Sequence, residues 1–183
     1  MGRACRRSVK TGSYWSVSTS TRFHRSVPTR QDGWMSCVFC SLLLDATSAD
    51  WVAKEEHAAA FLPLPSSSLA PGHTLVIPTA HASGVHEAGS SSLMATMALI
   101  QKVSLALRAT LGAPGVNLLS ASGPGSEQSV PHLHFHVVPR WEDDGFTTWP
   151  SQRSLKKVSA SPARLLADAI REFDAGAVSG TRG

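Results

Sequence analysis

Between Pro131 and Pro139 the chain reads His-Leu-His-Phe-His-Val-Val, an imidazole at every second position over five residues. Period two is the mark of a β-strand, in which successive side chains point to opposite faces. The pattern predicts a strand over His132–Val138, ended by Pro139, with Leu133, Phe135 and Val137 turned into a core. His132, His134 and His136 then share the other face. A solvated polar strand explains one such histidine easily, but three in strict alternation contribute little to packing and point to chemistry. Imidazoles two residues apart stand about 6.6 Å apart along a strand, so three of them reach a single ion poorly. The expected division puts one end of the row on a metal and the middle and other end on a substrate. A neutral imidazole whose Nδ1–H is held by a carbonyl offers Nε2 as a nucleophile. Attack on phosphorus gives a labile P–N bond that water can break, while neighbouring His, Ser and backbone N–H groups spread the phosphoryl oxygens.

The rest of the chain predicts an α+β fold with an antiparallel sheet of about five strands. Trp51–Ala53 and His57–Leu62 form a hairpin over Lys54-Glu55-Glu56, and 63–71 is a Ser/Pro loop. Thr74–Ile77 is a buried strand stopped by Pro78, and Val116–Ser120 another. One long central helix is capped within Ser90–Ser92, carries Leu93, Met97, Ile100, Leu107 and Leu111 on its apolar side and stops at Gly112. A C-terminal helix over about 162–174 starts at Ser161-Pro162 and buries Leu165, Leu166, Ala169, Ile170 and Phe173. Neither GxGxxG nor GxxxxGK[ST] occurs, so those phosphate cradles are absent.

Charge separates two regions. The 183 residues carry a formal +4, but residues 1–34 hold seven basic residues against Asp32 alone, whereas 35–183 hold ten basic and twelve acidic. The first region, with ten Ser/Thr and no Glu, is expected to be a disordered basic tail. It reads as an organellar transit segment or as sequence upstream of a true start at Met35, and after these as an arm that touches phosphates. The expected location is cytoplasmic, or mitochondrial or another organelle if the tail is genuine. Nucleic acid is disfavoured as a partner, because the positive charge stays in the tail. No uninterrupted run of about 18 apolar residues exists, so no membrane association is expected. Three cysteines make no disulfide framework.

The motif His132-Leu-His-Phe-His-Val-Val138 resembles that of the histidine triad (HIT) family. Cys37-Val-Phe-Cys40, Ala60-Phe-Leu62, Pro71-Gly-His-Thr-Leu-Val-Ile-Pro78 with His81, Gly115-Val-Asn117, Gln128-Ser-Val130 and Asp144-Gly-Phe146 follow in that family's order. The wording is most similar to its small bacterial-type, Hint-like branch, over roughly 35–149 of a HIT domain placed at 35–183. The resemblance implies a purine nucleotide substrate. His134 would attack the α-phosphate of a nucleoside phosphoramidate or dinucleoside polyphosphate. His136 would hold the phosphate and Ser129 would lie by the leaving group, these three being the catalytic set. Phe61 would lie against the base, and Asn117 and Gln128 would complete nucleotide binding. It also implies a homodimer. The alternatives are a nucleotide-binding or protein-interaction module with little turnover, and a dinucleoside polyphosphate hydrolase. The chain departs from the family at Pro63 and Pro65 in the ribose loop, at Ala121-Ser-Gly123, and at Glu127 where relatives place Gly.

Cys37 and Cys40 have the C-x-x-C spacing that sets two thiolates on one turn for a tetrahedral ion. A redox pair would want a thioredoxin-like context that the sequence lacks. By resemblance to zinc-bearing relatives, His81 and His132 complete the set, giving a structural zinc. His24, His57 and His86 read as surface residues, and His73 as a hydrogen-bonded structural one.

Overall fold

Ala58, Ala59 and Ala60 are wholly buried, which is possible only for a strand covered on both faces. The computed structural model describes residues 37–45, 49–157 and 161–179, and of 175–179 only the backbone. The basic tail expected over 1–34 lies outside them.

In chain order the elements are α1 (Val38–Leu44), β1 (Trp51–Lys54), β2 (Ala58–Phe61), a 3-10 turn (Pro65–Ser67) and β3 (Thr74–Pro78). Then come α2 (Ser90–Leu111), β4 (Gly115–Leu119), β5 (Phe135–Arg140) and α3 (Pro162–Ser179). The sheet is five-stranded and antiparallel throughout, in the order β1-β2-β3-β5-β4. Alternation divides its side chains between two cores. On one face Ala58, Ala60, Val76 and Val137 meet Leu99, Ile100, Val103 and Leu107 of α2. On the other, Ala59, Phe61, Leu75 and Ile77 meet Cys37, Phe39 and Cys40 of the α1 turn. Each large side chain buried there stabilises the fold by roughly 1.5–3 kcal/mol.

Several expectations shift. The histidine strand begins at Phe135, not His132, and runs through Pro139 to Arg140. Pro139 is tolerated because pairing with β3 ends at Val137, so beyond it β5 has only β4 beside it. The central helix has Gly89, not a serine, at its N-cap, and ends as expected at Gly112, in the left-handed conformation with φ 62°. Its buried stripe is Thr96, Leu99, Ile100, Val103 and Leu107, while Met97 and Leu111 are exposed. Apolar residues surround most of this helix, so periodicity did not single out the inward stripe. By length and composition α2 could cross a membrane, yet here it lays that stripe on the sheet. The α1 helix was not expected beyond a single turn.

The described residues from Trp141 onward belong to a second compact unit. Its opening turn is held by the Asp144 carboxylate, which accepts N–H bonds from Trp141 and Phe146. In α3 the expected burial fails: Leu165, Leu166, Ile170 and Phe173 are all more than half exposed. An amphipathic stripe tells which face is apolar but not what covers it.

Candidate active site and metal centre

The three histidines share the sheet face that carries α1, opposite the α2 core. His136 is paired with Leu75 on one side and Leu119 on the other, in the middle of the sheet. His132 and His134 lie in the extended segment that enters β5, and both are buried.

His134 donates Nδ1–H to the carbonyl of His132 at 2.7 Å. That bond fixes the tautomer and leaves Nε2 with its lone pair free. Its own carbonyl accepts the Ser120 hydroxyl at 2.9 Å. The His136 ring stands 5.1 Å from that of His134.

The tautomer of His136 follows from its other neighbour. Leu69 N–H donates to His73 Nδ1 at 3.1 Å, so a neutral His73 carries its proton on Nε2. His73 Nε2 lies 2.9 Å from His136 Nδ1, and the two rings stack. His73 therefore donates to His136, whose Nδ1 accepts and whose Nε2–H is left as a donor. Burial pushes the His73 pKa down. Burial, reinforced by His134 and His73, lowers that of His136 to about 4. His73 was expected to be merely structural; the structure makes it the residue that orients His136. Its signal in the sequence is a histidine opening a buried strand directly after Pro-Gly. Gly72 is required there. Its φ is +84°, and a Cβ would come within 2.5 Å of Leu111 Cδ1.

Because the folded protein resists protonating His136, the unfolded chain binds that proton first as pH falls. The stability this group supplies is whole above about pH 6.5, the ordinary imidazole value, and is lost as pH falls toward about 4. The expected result is a Tm that drops over this window with a shallower slope in His136→Gln, measured by thermal denaturation. Equal slopes would contradict it.

At the other end of the row, Cys37, Cys40, His81 and His132 bring one ligand atom each within 4.8 Å of all the others. His132 donates Nε2–H to the Pro78 carbonyl at 3.0 Å, which turns the bare Nδ1 toward the cysteines. Nδ1 of His132 lies 3.5 Å from Cys37 Sγ, 3.6 Å from Cys40 Sγ and 3.3 Å from His81 Nδ1, and His81 Nδ1 lies 3.3 Å from Cys40 Sγ. A tetrahedral zinc with ordinary bond lengths demands edges of about 3.3 Å between nitrogens and about 3.6 Å between nitrogen and sulfur. The set fits. Burial, with Cys37 alongside, raises the Cys40 thiol to about 12, a preference that a bound cation reverses.

Phe39, between the two cysteines, sets its ring edge-on against His132 and His134, at 5.8 and 5.4 Å. Sequence reasoning missed it. Phe61 is buried, with Phe39 and Trp51 against it. Asn117 lies on β4, where its carbonyl accepts from Arg140. Gln128 is spent within the protein: it accepts from Gly123 N–H and donates to the carbonyls of Ser83 and Val130. Ser129 is exposed and has no hydrogen-bond partner among the described residues. His57 and His86 are on the surface as expected. The structure thus joins His134 to His136, and His132 to the metal set. Among the described residues no hydrogen bond or ring pair joins Phe61 or Asn117 to His134 or His136.

The HIT domain model matches residues 46–143, more than half of the chain. The chain belongs to the HIT family. This HIT protein is 32% identical over 140 residues to Protein hit of Bacillus subtilis, covering 72% of this chain and 95% of that one. It is 34% identical over 119 residues, 64% and 85% of the two chains, to a Schizosaccharomyces pombe protein named adenosine 5'-monophosphoramidase. A zinc-bound histidine triad family protein from Mycobacterium smegmatis superposes with TM-score 0.57 at 29% identity, over 79% of this chain and 99% of that one.

Proposed function

We propose that this HIT protein is a nucleotide phosphoramidase or hydrolase that releases a nucleoside monophosphate through a covalent histidine intermediate. The observation that carries the reading is the His134 Nδ1–H bond to the His132 carbonyl, which presents Nε2 beside the donor of His136. In the first step Nε2 attacks the α-phosphorus. The P–N bond breaks, its electron pair goes to nitrogen, and the amine leaves after taking a proton from solvent water. His136 Nε2–H holds a phosphoryl oxygen as charge develops on it. In the second step water attacks phosphorus, the bond to Nε2 breaks, and water gives back the proton taken up in the first. In this reading Ser129 would lie by the leaving group. The family kinship and the name of the S. pombe relative support this reading.

Cys37, Cys40, His81 and His132 are proposed to hold zinc. Four protein ligands close the coordination sphere, so the ion would tie α1 to the histidine strand and take no substrate.

The test is a substrate panel with the purified protein. Release of the monophosphate from a nucleoside phosphoramidate is expected to exceed release from a dinucleoside polyphosphate. Binding of a nucleoside monophosphate with no turnover of either substrate would contradict the enzyme reading and support the module.

A further inference from the structure

The two loops that flank the entry to the histidine strand are uneven in charge. From Ala109 to Pro139 the sole Asp, Glu, Lys or Arg is Glu127, and from His57 to Gln101 it is Glu87. The loops are clasped together. Val85 N–H donates to Ser122 Oγ at 3.2 Å, and the Gln128 amide reaches Ser83 O at 2.5 Å while accepting from Gly123. Leu133 N–H donates to Ala82 O at 2.7 Å, which ties the same pair to the strand entry. Neither loop contributes a Lys or Arg. Of the cations on the described elements up to Arg140, Lys54 lies over the Trp51 ring, Lys102 pairs with Glu55 and Arg140 bonds Asn117, while Arg108 is exposed in the last turn of α2.

The two carboxylates differ. Glu87 folds back on its own loop, accepting Ser83 N–H at 3.0 Å. Glu127 is exposed and has no hydrogen-bond or ion-pair partner among the described residues. Its φ is 63°, a left-handed conformation that residues with a Cβ rarely adopt. The neighbouring Gln128, bonded on both ends of its amide, holds the chain in that turn. The turn thus sets an exposed carboxylate two residues before Ser129, the residue that the proposed reaction puts by the leaving group.

We propose that Glu127 selects the leaving group by charge. This inference rests on the hydrolase reading and names its substrate class: nucleoside phosphoramidates whose amine carries an additional ammonium group. Polyphosphate leaving groups, and amines that bear a carboxylate, meet a negative charge that neither clasped loop offsets with a Lys or Arg. The bonds made and broken are those already given, and the carboxylate takes no proton. Two unit charges about 7 Å apart at a partly exposed site interact by enough for about a five- to tenfold change, which is the scale expected for kcat/KM here.

The experiment uses the full chain and three adenosine phosphoramidates. They share one P–N bond type and differ in the amine: one carries a distal ammonium, one is uncharged, one carries a distal carboxylate. For the wild type, kcat/KM is expected to fall in that order, by about tenfold or more from first to last. Glu127→Gln should bring the three within about twofold, and Glu127→Lys should reverse the order. Raising the salt should compress the wild-type spread, because exposed charges are screened. Turnover with the same order and spread in all three proteins overturns the charge selection and leaves the hydrolase reading standing. No turnover of any amidate by the wild type overturns both.

Discussion

Replacing His134 with alanine is expected to lower kcat/KM for monophosphate release by at least about 10^3-fold, because the covalent step loses its nucleophile and no neighbour can take its place. His136 stands next to it, but its Nδ1 is occupied by His73 and its Nε2 bears the proton. The alanine variant also leaves a cavity, since His134 is buried, and should lose a few kcal/mol of stability. Asn at 134 separates the two effects. Its amide can still donate to the His132 carbonyl, and it has no atom where Nε2 was. An Asn variant with near-wild-type Tm and equally low activity is the expected pair of results. His136→Gln should cost less, about 10²-fold, because it removes one donor to the phosphoryl oxygens and leaves the nucleophile. Full turnover in either His134 variant would assign the nucleophile elsewhere.

The second large effect concerns the metal set. Purified protein is expected to hold close to one zinc per chain, and a strong chelator should lower its Tm by about 10 °C. That figure follows if zinc is present at about a thousand times its dissociation constant, which is worth roughly 4 kcal/mol in a chain of this size. Cys40→Ser should reproduce the loss without chelator. The reason is local. α1 spans seven residues, too short to be stable alone, and docks through Phe39, Cys37 and Cys40. Zinc would bind that turn to His81, beyond β3, and to His132, before β5. Activity should fall with the metal, because Phe39 is also the ring packed against His134. Metal-free protein with an unchanged Tm would contradict the account.

The sheet and the central helix were legible in the sequence because each rests on a strong local pattern. The Ala-rich β2, the Pro-ended β3 and the Gly112 stop each carry their own signal. The row of histidines also announced which of its faces would be polar. What failed was what depends on contact. The inward stripe of α2 could not be read from a helix apolar almost all round, and the burial expected for α3 presumed a partner. The pairing of His73 with His136 joins residues 63 positions apart in sequence, so no window contains it. The bonds of the Gln128 amide to Gly123, Ser83 and Val130 were likewise not legible, because Ser83 lies 45 positions away. Glu127 was visible as a departure from the family. The structure adds its left-handed backbone, a conformation that favours glycine.

The central claim is that a nucleotide becomes bonded to His134 Nε2. The direct measurement is acid-free quenching during turnover of a nucleoside phosphoramidate, followed by mass mapping of the peptide that spans 130–140. The account predicts one nucleoside monophosphate on His134 in the wild type, and none in His134→Asn. A nucleotide found on His136, or steady turnover with no modified peptide at any time, would contradict it.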